Sequence, residues 1–186
     1  SSTKVSPAAA QLTFTPPCVG PAKCRRTYPL ANGGRVPYFG NYALDVGHPS
    51  AQSAVVVVHG TDRNAVDYYR YVADSAQATV GLGHVVVIAP SFQASAAADS
   101  QEFYWPQSDW REGADGRVNA GAPGISSYAA LDAIVTALAD RTRFPALTHV
   151  VITGHSAGGQ VVQRYAAGAR STPAGLAIRY APANPS

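Results

Sequence analysis

An α/β fold, a mostly parallel sheet with helices on both faces, is what this sequence predicts, and three observations carry that expectation. Residues 54–58 (Ala-Val-Val-Val-Val) and 85–88 (Val-Val-Val-Ile) are unbroken apolar runs, suited to strands buried on both sides in a parallel sheet. Stretches of helical spacing separate such runs, the alternation that builds parallel strands through crossover helices. A third run, Val150-Val151-Ile152, leads directly into Thr153-Gly154-His155-Ser156-Ala157-Gly158-Gly159 and a helix-compatible stretch through Tyr165. A serine so placed sits on a tight strand-to-helix turn with its hydroxyl projecting beyond the sheet. Glycines two residues before and after it keep Cβ atoms out of the neighbouring backbone.

Length and composition bound the rest. At 186 residues the chain suits one domain, spanning 1–186, with a full core. Hydrophobic residues make up 46% and charged residues 13%, the latter about half the usual share. A net charge of +3, with Lys23, Arg25 and Arg26 as the sole cluster, is too slight for a nucleic-acid footprint. No apolar run approaches the ~20 residues that a membrane-spanning helix needs. The Ser/Thr/Pro/Ala-rich start without methionine reads as the mature end of a secreted or periplasmic protein. Cys18 and Cys24 form a C-x5-C pair with no histidine cluster beside it. That is a poor zinc site, and a small disulfide loop is expected, in keeping with an oxidising compartment.

Taken in order, residues 1–10 read as a frayed tail and residues 11–15 as a short edge strand stopped by Pro16-Pro17. Residues 35–39 and 41–46, rich in aromatic and β-branched side chains, suit an antiparallel hairpin. After the valine strand a helix is expected from about Asn64, with Tyr68, Tyr71 or Val72, and Ser75 or Ala76 at helical spacing, broken by Gly81 and Gly83. Residues 91–124 lack periodicity and read as an irregular, lid-like insertion, a length that is generally functional. Ser126 and Ser127 are N-cap candidates for a helix whose apolar face is Tyr128, Leu131, Ile134, Val135 and Leu138. The helix after Ser156 should end near Gly168, and residues 176–180 could open one more strand.

A serine nucleophile needs an oxyanion hole, a base and a group that orients the base. One half of the hole falls to the N–H of Ala157, directly after the serine. The other falls to the loop after an earlier strand, where Val58-His59-Gly60 ends and Thr61 offers its N–H. Tyr104, Trp105 and Trp110, with Phe103, leave the end of the sheet at which Ser156 opens. They are placed to line a substrate pocket, with Glu102, Asp109 and Arg111 as polar handles, or to staple the loop to the body, and one arrangement can do both.

With these residues in view, the sequence from about residue 54 onward resembles the α/β-hydrolase superfamily. The resemblance rests on Val55-Val56-Val57-Val58-His59-Gly60-Thr61 and Gly154-His155-Ser156-Ala157-Gly158-Gly159. The string extended through Gln160, with Ala183-Asn184-Pro185-Ser186, is similar to a group of secreted bacterial and fungal hydrolases. It implies a serine hydrolase that cleaves an ester or amide bond of a small-molecule or polymer substrate through an acyl-enzyme on Ser156. Such chemistry calls for no metal and no cofactor. The rival readings are an amidase or peptidase and a catalytically inactive hydrolase-like binding protein.

The resemblance also implies an acid and then a histidine on later strands, and residues 157–186 contain no His, Asp or Glu. His59 is read as shaping the oxyanion loop, and His155 as pointing away from Ser156 into the sheet or the strand above. His48, His84 and His149 are read as surface or capping residues. The acid and base are therefore expected on a complementary C-terminal chain, cut from the same precursor after Ser186 and docked as a heterodimer.

Overall fold

The valine runs tolerate no polar residue because their side chains divide between two cores, as a computed structural model describing residues 15–169 and 172–185 makes plain. Strands β3 (Ser53–Val58) and β4 (Val85–Pro90) pair in parallel. Val56, Val58, Val86 and Ile88 enter the core shared with helices α2 (Ser127–Leu138) and α3 (Ala157–Gly168). Val57, Val85, Val87 and Ala89 enter the opposite core, with Tyr69 and Ala73 of α1 (Ala65–Thr79). Alternation at period two thus sends every side chain into a dry layer, and each valine so buried is worth roughly 1.5–3 kcal/mol.

Four more strands complete the sheet: β1 (Arg25–Pro29), β2 (Arg35–Gly40), β5 (His149–His155) and β6 (Ala177–Ala183). The strand order is β1-β2-β4-β3-β5-β6. β1 and β2 are antiparallel, as are β2 and β4, and the remaining pairs are parallel. The expected mostly parallel sheet with helices on both faces is therefore present. Ser126 caps α2 as its spacing suggested, its hydroxyl oxygen accepting the Ala129 N–H at 2.9 Å.

Several local expectations are corrected. The hairpin partner of β2 is β1, not residues 41–46. β1 hides in the basic cluster because an edge strand can carry exposed polar side chains. Arg26 donates to the Gly40 carbonyl at 2.9 Å, and Arg25 pairs with Glu102. Residues 41–46 turn instead, because buried Asn41 occupies the strand's place. Its Nδ2 donates to the Leu82 and Val85 carbonyls, and its Oδ1 accepts the Val87 N–H. In α1 the buried face is Ala65, Tyr69 and Ala73, while Tyr71 is exposed. The expected tail and residues 11–14 of the expected edge strand lie outside the described residues. Cys18 and Cys24 are joined in a disulfide. No helix among the described residues is long and apolar enough to cross a membrane.

Residues 91–124 are anchored to the body at several points. A 3-10 turn (Ser108–Glu112) and bridges pairing Arg35 with Glu102, Tyr104 with Arg117 and Asp115 with Ser126 organise the segment. Phe92, Phe103, Trp105 and Trp110 are each 1% exposed or less and belong to the α2–α3 core.

Beside the β6 edge of the sheet lies a groove of ≈560 Å³, lined among others by Tyr128 and Asp132 of α2, Tyr165 of α3, and Ile178 and Tyr180 of β6.

Candidate active site

Ser156 stands between β5 and α3 with φ 56° and ψ −119°. A non-glycine residue seldom adopts such a backbone, and one that does is held there by its surroundings. Those surroundings are three close approaches of chain to chain. A Cβ on Gly154 would stand 2.5 Å from the Gly158 carbonyl oxygen, and one on Gly159 would stand 2.6 Å from that of Ala183. One on Gly158 would meet the carbonyl oxygens of Val58 and His59. The motif's glycines are therefore required by contact. The Ser156 N–H donates to the Ala183 carbonyl at 3.1 Å, tying the turn to the end of β6 as well.

The same contacts bring the loop after β3 close to the turn after β5. Val58 pairs with Gly154 across β3 and β5, so the loop after β3 and the turn after β5 leave the sheet side by side. The Cβ position of Gly60 lies 3.7 Å from the His155 carbonyl oxygen. Thr61 follows on an exposed turn. Ala157 is the first residue of α3, so its N–H has no acceptor within the helix and points with the helix's positive end toward the serine.

The histidines sort by their contacts. His59 is fully buried; its Nε2 accepts the Phe92 N–H at 2.9 Å, and its Nδ1 lies 2.9 Å from the Gly60 carbonyl. Nδ1 must then carry the proton and donate it, leaving no lone pair for a base. Burial pushes its pKa down to about 4. His155 is exposed, and its Nε2 lies 3.2 Å from Nδ2 of Asn184, the residue directly after β6. His48 is buried where a surface or capping residue was expected. It does cap, its Nδ1 accepting the Ser50 and Ala51 N–H groups and its Nε2 lying 2.8 Å from the Gly83 carbonyl. His149 contacts the Thr148 hydroxyl, and His84 is exposed at the start of β4. None of these contacts is with Ser156.

Trp105 and Trp110, expected to line a substrate pocket, are core residues. The Trp105 Nε1–H donates to the Ala114 carbonyl, and its ring packs edge-on to Phe92 at 5.0 Å. Trp110 stacks on Phe92 at 5.2 Å and leans on His59 at 4.9 Å. Large apolar rings gain more from the core than from a wet cleft, and both rings staple the segment to the body. Tyr104 is half-buried and donates its hydroxyl to Asn119 at 2.9 Å. Of the expected polar handles, Glu102 is engaged by Arg25, whose hydrogen bond holds its carboxyl below the usual range. Sequence spacing gave no sign of Arg63, which reaches three carbonyls of the 91–124 segment.

No family model matches this sequence, and no curated protein sequence does. Solved structures do match in shape. LpqC, a poly(3-hydroxybutyrate) depolymerase from Bordetella parapertussis, is 22% identical over 80% of this chain and 48% of its own, with a TM-score of 0.52. The α/β hydrolase GrgF from Penicillium sp. sh18 is 13% identical over 80% of this chain and 42% of its own, with a TM-score of 0.50. The chain thus spans less than half the length of either protein. Strand order, the helices on both faces and these likenesses agree on one conclusion: the chain carries the α/β-hydrolase fold.

Proposed function

We propose that this chain is the nucleophile-bearing part of a serine hydrolase that cleaves an ester bond through an acyl-enzyme on Ser156. The observation that carries the reading is the backbone of Ser156, left-handed at a strand-to-helix junction and fixed there by Gly154, Gly158 and Gly159. Strain of that kind has no use in a plain connector and suits a nucleophile. In the proposed reaction the Ser156 Oγ adds to the substrate carbonyl carbon as its proton passes to a base. The N–H groups of Thr61 and Ala157 stabilise the resulting oxyanion. The tetrahedral intermediate then expels the alcohol, which takes up the proton, and water later releases the acid.

The base and acid come, in this proposal, from further polypeptide of the same precursor. His59 has no lone pair to offer, and residues 157–186 hold no His, Asp or Glu. The outer edge of β6 and the ≈560 Å³ groove beside it are the surface where that polypeptide docks. The Cys18–Cys24 disulfide supports an oxidising location, secreted or periplasmic. An amidase or peptidase would use the same groups. A catalytically silent binding protein is the rival from another class, since among the described residues no histidine contact is with Ser156.

Fluorophosphonate labelling of the purified protein, with Ser156→Ala beside it, tests the reading. One labelled serine, lost in the variant together with p-nitrophenyl ester turnover, is the expected result, with two bands on a denaturing gel. Activity retained in the variant removes the nucleophile. Absent labelling in the parent favours the binding protein.

A further inference from the structure

Arg63 lies two residues beyond Thr61, with φ at +56°, a conformation more natural to glycine or asparagine. Its side chain shows why arginine stands there. Nη1 donates to the carbonyls of Phe92 at 2.8 Å and Trp105 at 2.6 Å, and Nη2 donates to that of Gln107 at 2.8 Å. The guanidinium also lies 5.3 Å from the centre of the Trp110 ring, close enough for cation–π attraction. One turn residue therefore gathers three carbonyls from a segment 29 to 44 residues away.

The loop that bears Thr61 is fastened at both ends to this same segment. On one side His59 accepts the Phe92 N–H and contacts the Gly60 carbonyl. On the other, the Arg63 N–H closes a turn onto that carbonyl at 3.1 Å, and its guanidinium holds the Phe92 carbonyl. Phe92 is gripped through both its backbone groups, and Thr61 lies between the two anchors. The Thr61 side chain is exposed and the residue belongs to no strand or helix, so these cross-links supply what regular structure does not.

We propose that Arg63 is a positioning residue, whose guanidinium clamps the 59–63 loop to the 92–107 segment and so fixes the Thr61 N–H beside Ser156. This inference rests on the serine-hydrolase reading above. An oxyanion donor works by being aimed before charge develops. A loop left free to shift by about 1 Å can lose on the order of 100-fold in rate. Arginine suits the task because its planar fork donates in several fixed directions from one rigid group. A lysine ammonium is a compact point on a flexible stem and cannot span the same three carbonyls.

Arg63→Gly and Arg63→Lys in the full protein test it, with Ser156→Ala in parallel and thermal unfolding followed for each. Glycine relieves the left-handed backbone, so that variant removes the clamp with little other disturbance. Both are expected to lower kcat on a p-nitrophenyl ester roughly 10- to 100-fold while KM stays within about twofold, since the lost interaction acts on the transition state. Free guanidinium at sub-denaturing concentration should restore part of kcat in Arg63→Gly, which a general loss of structure would not allow. If Arg63→Gly does not fold, the kcat and KM of Arg63→Lys decide. Ser156-dependent activity that is indifferent to Arg63, or a loss without rescue that tracks loss of folded protein, overturns the clamp alone. Activity that survives Ser156→Ala, or a parent with none, overturns the serine reading and the clamp with it.

Discussion

Tyr165 donates its hydroxyl to Asp132 Oδ1 at 2.5 Å, joining α3 to α2 above the groove beside β6. Burial and the neighbouring carboxylate both push the phenol well above its ordinary range. The protonated form is the one the fold favours. Its contribution is fully present below the unfolded pKa of 10.0 and is lost as the pH rises through the higher folded value. Tyr165→Phe should cost about 1–2 kcal/mol at neutral pH and flatten part of the stability loss above pH 10, both measured by urea unfolding.

His59 should act at the acid side. With a folded pKa of about 4 against 6.5 when free, the unfolded chain binds more protons across that window. Stability therefore rises with pH from about 4 to 6.5 and falls on acidification. The full effect is roughly 3 kcal/mol for a shift of this size. Urea midpoints across this range should show the slope in the parent and lose most of it in His59→Gln. An unchanged slope in the variant would assign it to other groups.

Two glycines in one helix should respond oppositely to alanine. Gly158 abuts the carbonyl oxygens of Val58 and His59, both backbone atoms that cannot step aside, whereas Gly168 has nothing within 4 Å of its Cβ position. Gly158→Ala should destabilise by at least about 2–3 kcal/mol and abolish Ser156 labelling. Gly168→Ala should be neutral or stabilising by up to about 1 kcal/mol. Thermal unfolding of the two proteins decides it.

Trp105→Ala and Trp110→Ala should each cost about 3–5 kcal/mol, the range for emptying an aromatic site in a core. Both rings are 1% exposed. Variants that remain folded should keep the parent's preference among ester chain lengths. A several-fold change in that preference, with stability intact, would return these rings to the substrate pocket.

These cases also mark what the sequence revealed. The buried strands were legible because Val55 to Val58 and Val85 to Ile88 permit no exposed face. The Ser156 turn was legible because its glycines answer to contacts that allow nothing larger. β1 was not, since Arg25 and Arg26 at a sheet edge look like any solvated pair. The inward course of Trp105 and Trp110 was hidden because aromatic residues in an aperiodic segment are equally consistent with a pocket and a core. Nor could spacing expose Arg63, whose acceptors are main-chain carbonyls that carry no residue-type signal.

The hydrogen bond from the Ser156 N–H to the Ala183 carbonyl has a bearing on biosynthesis. Domains form as the chain emerges, amino-terminal parts first. The central strands and α1 can associate while residues 177–183 are still inside the ribosome, but the serine's turn lacks its last brace until β6 arrives. Setting of the Ser156 backbone is thus deferred to the end of translation of this segment, and a nascent chain halted before Ala183 would carry a sheet whose turn after β5 is unbraced.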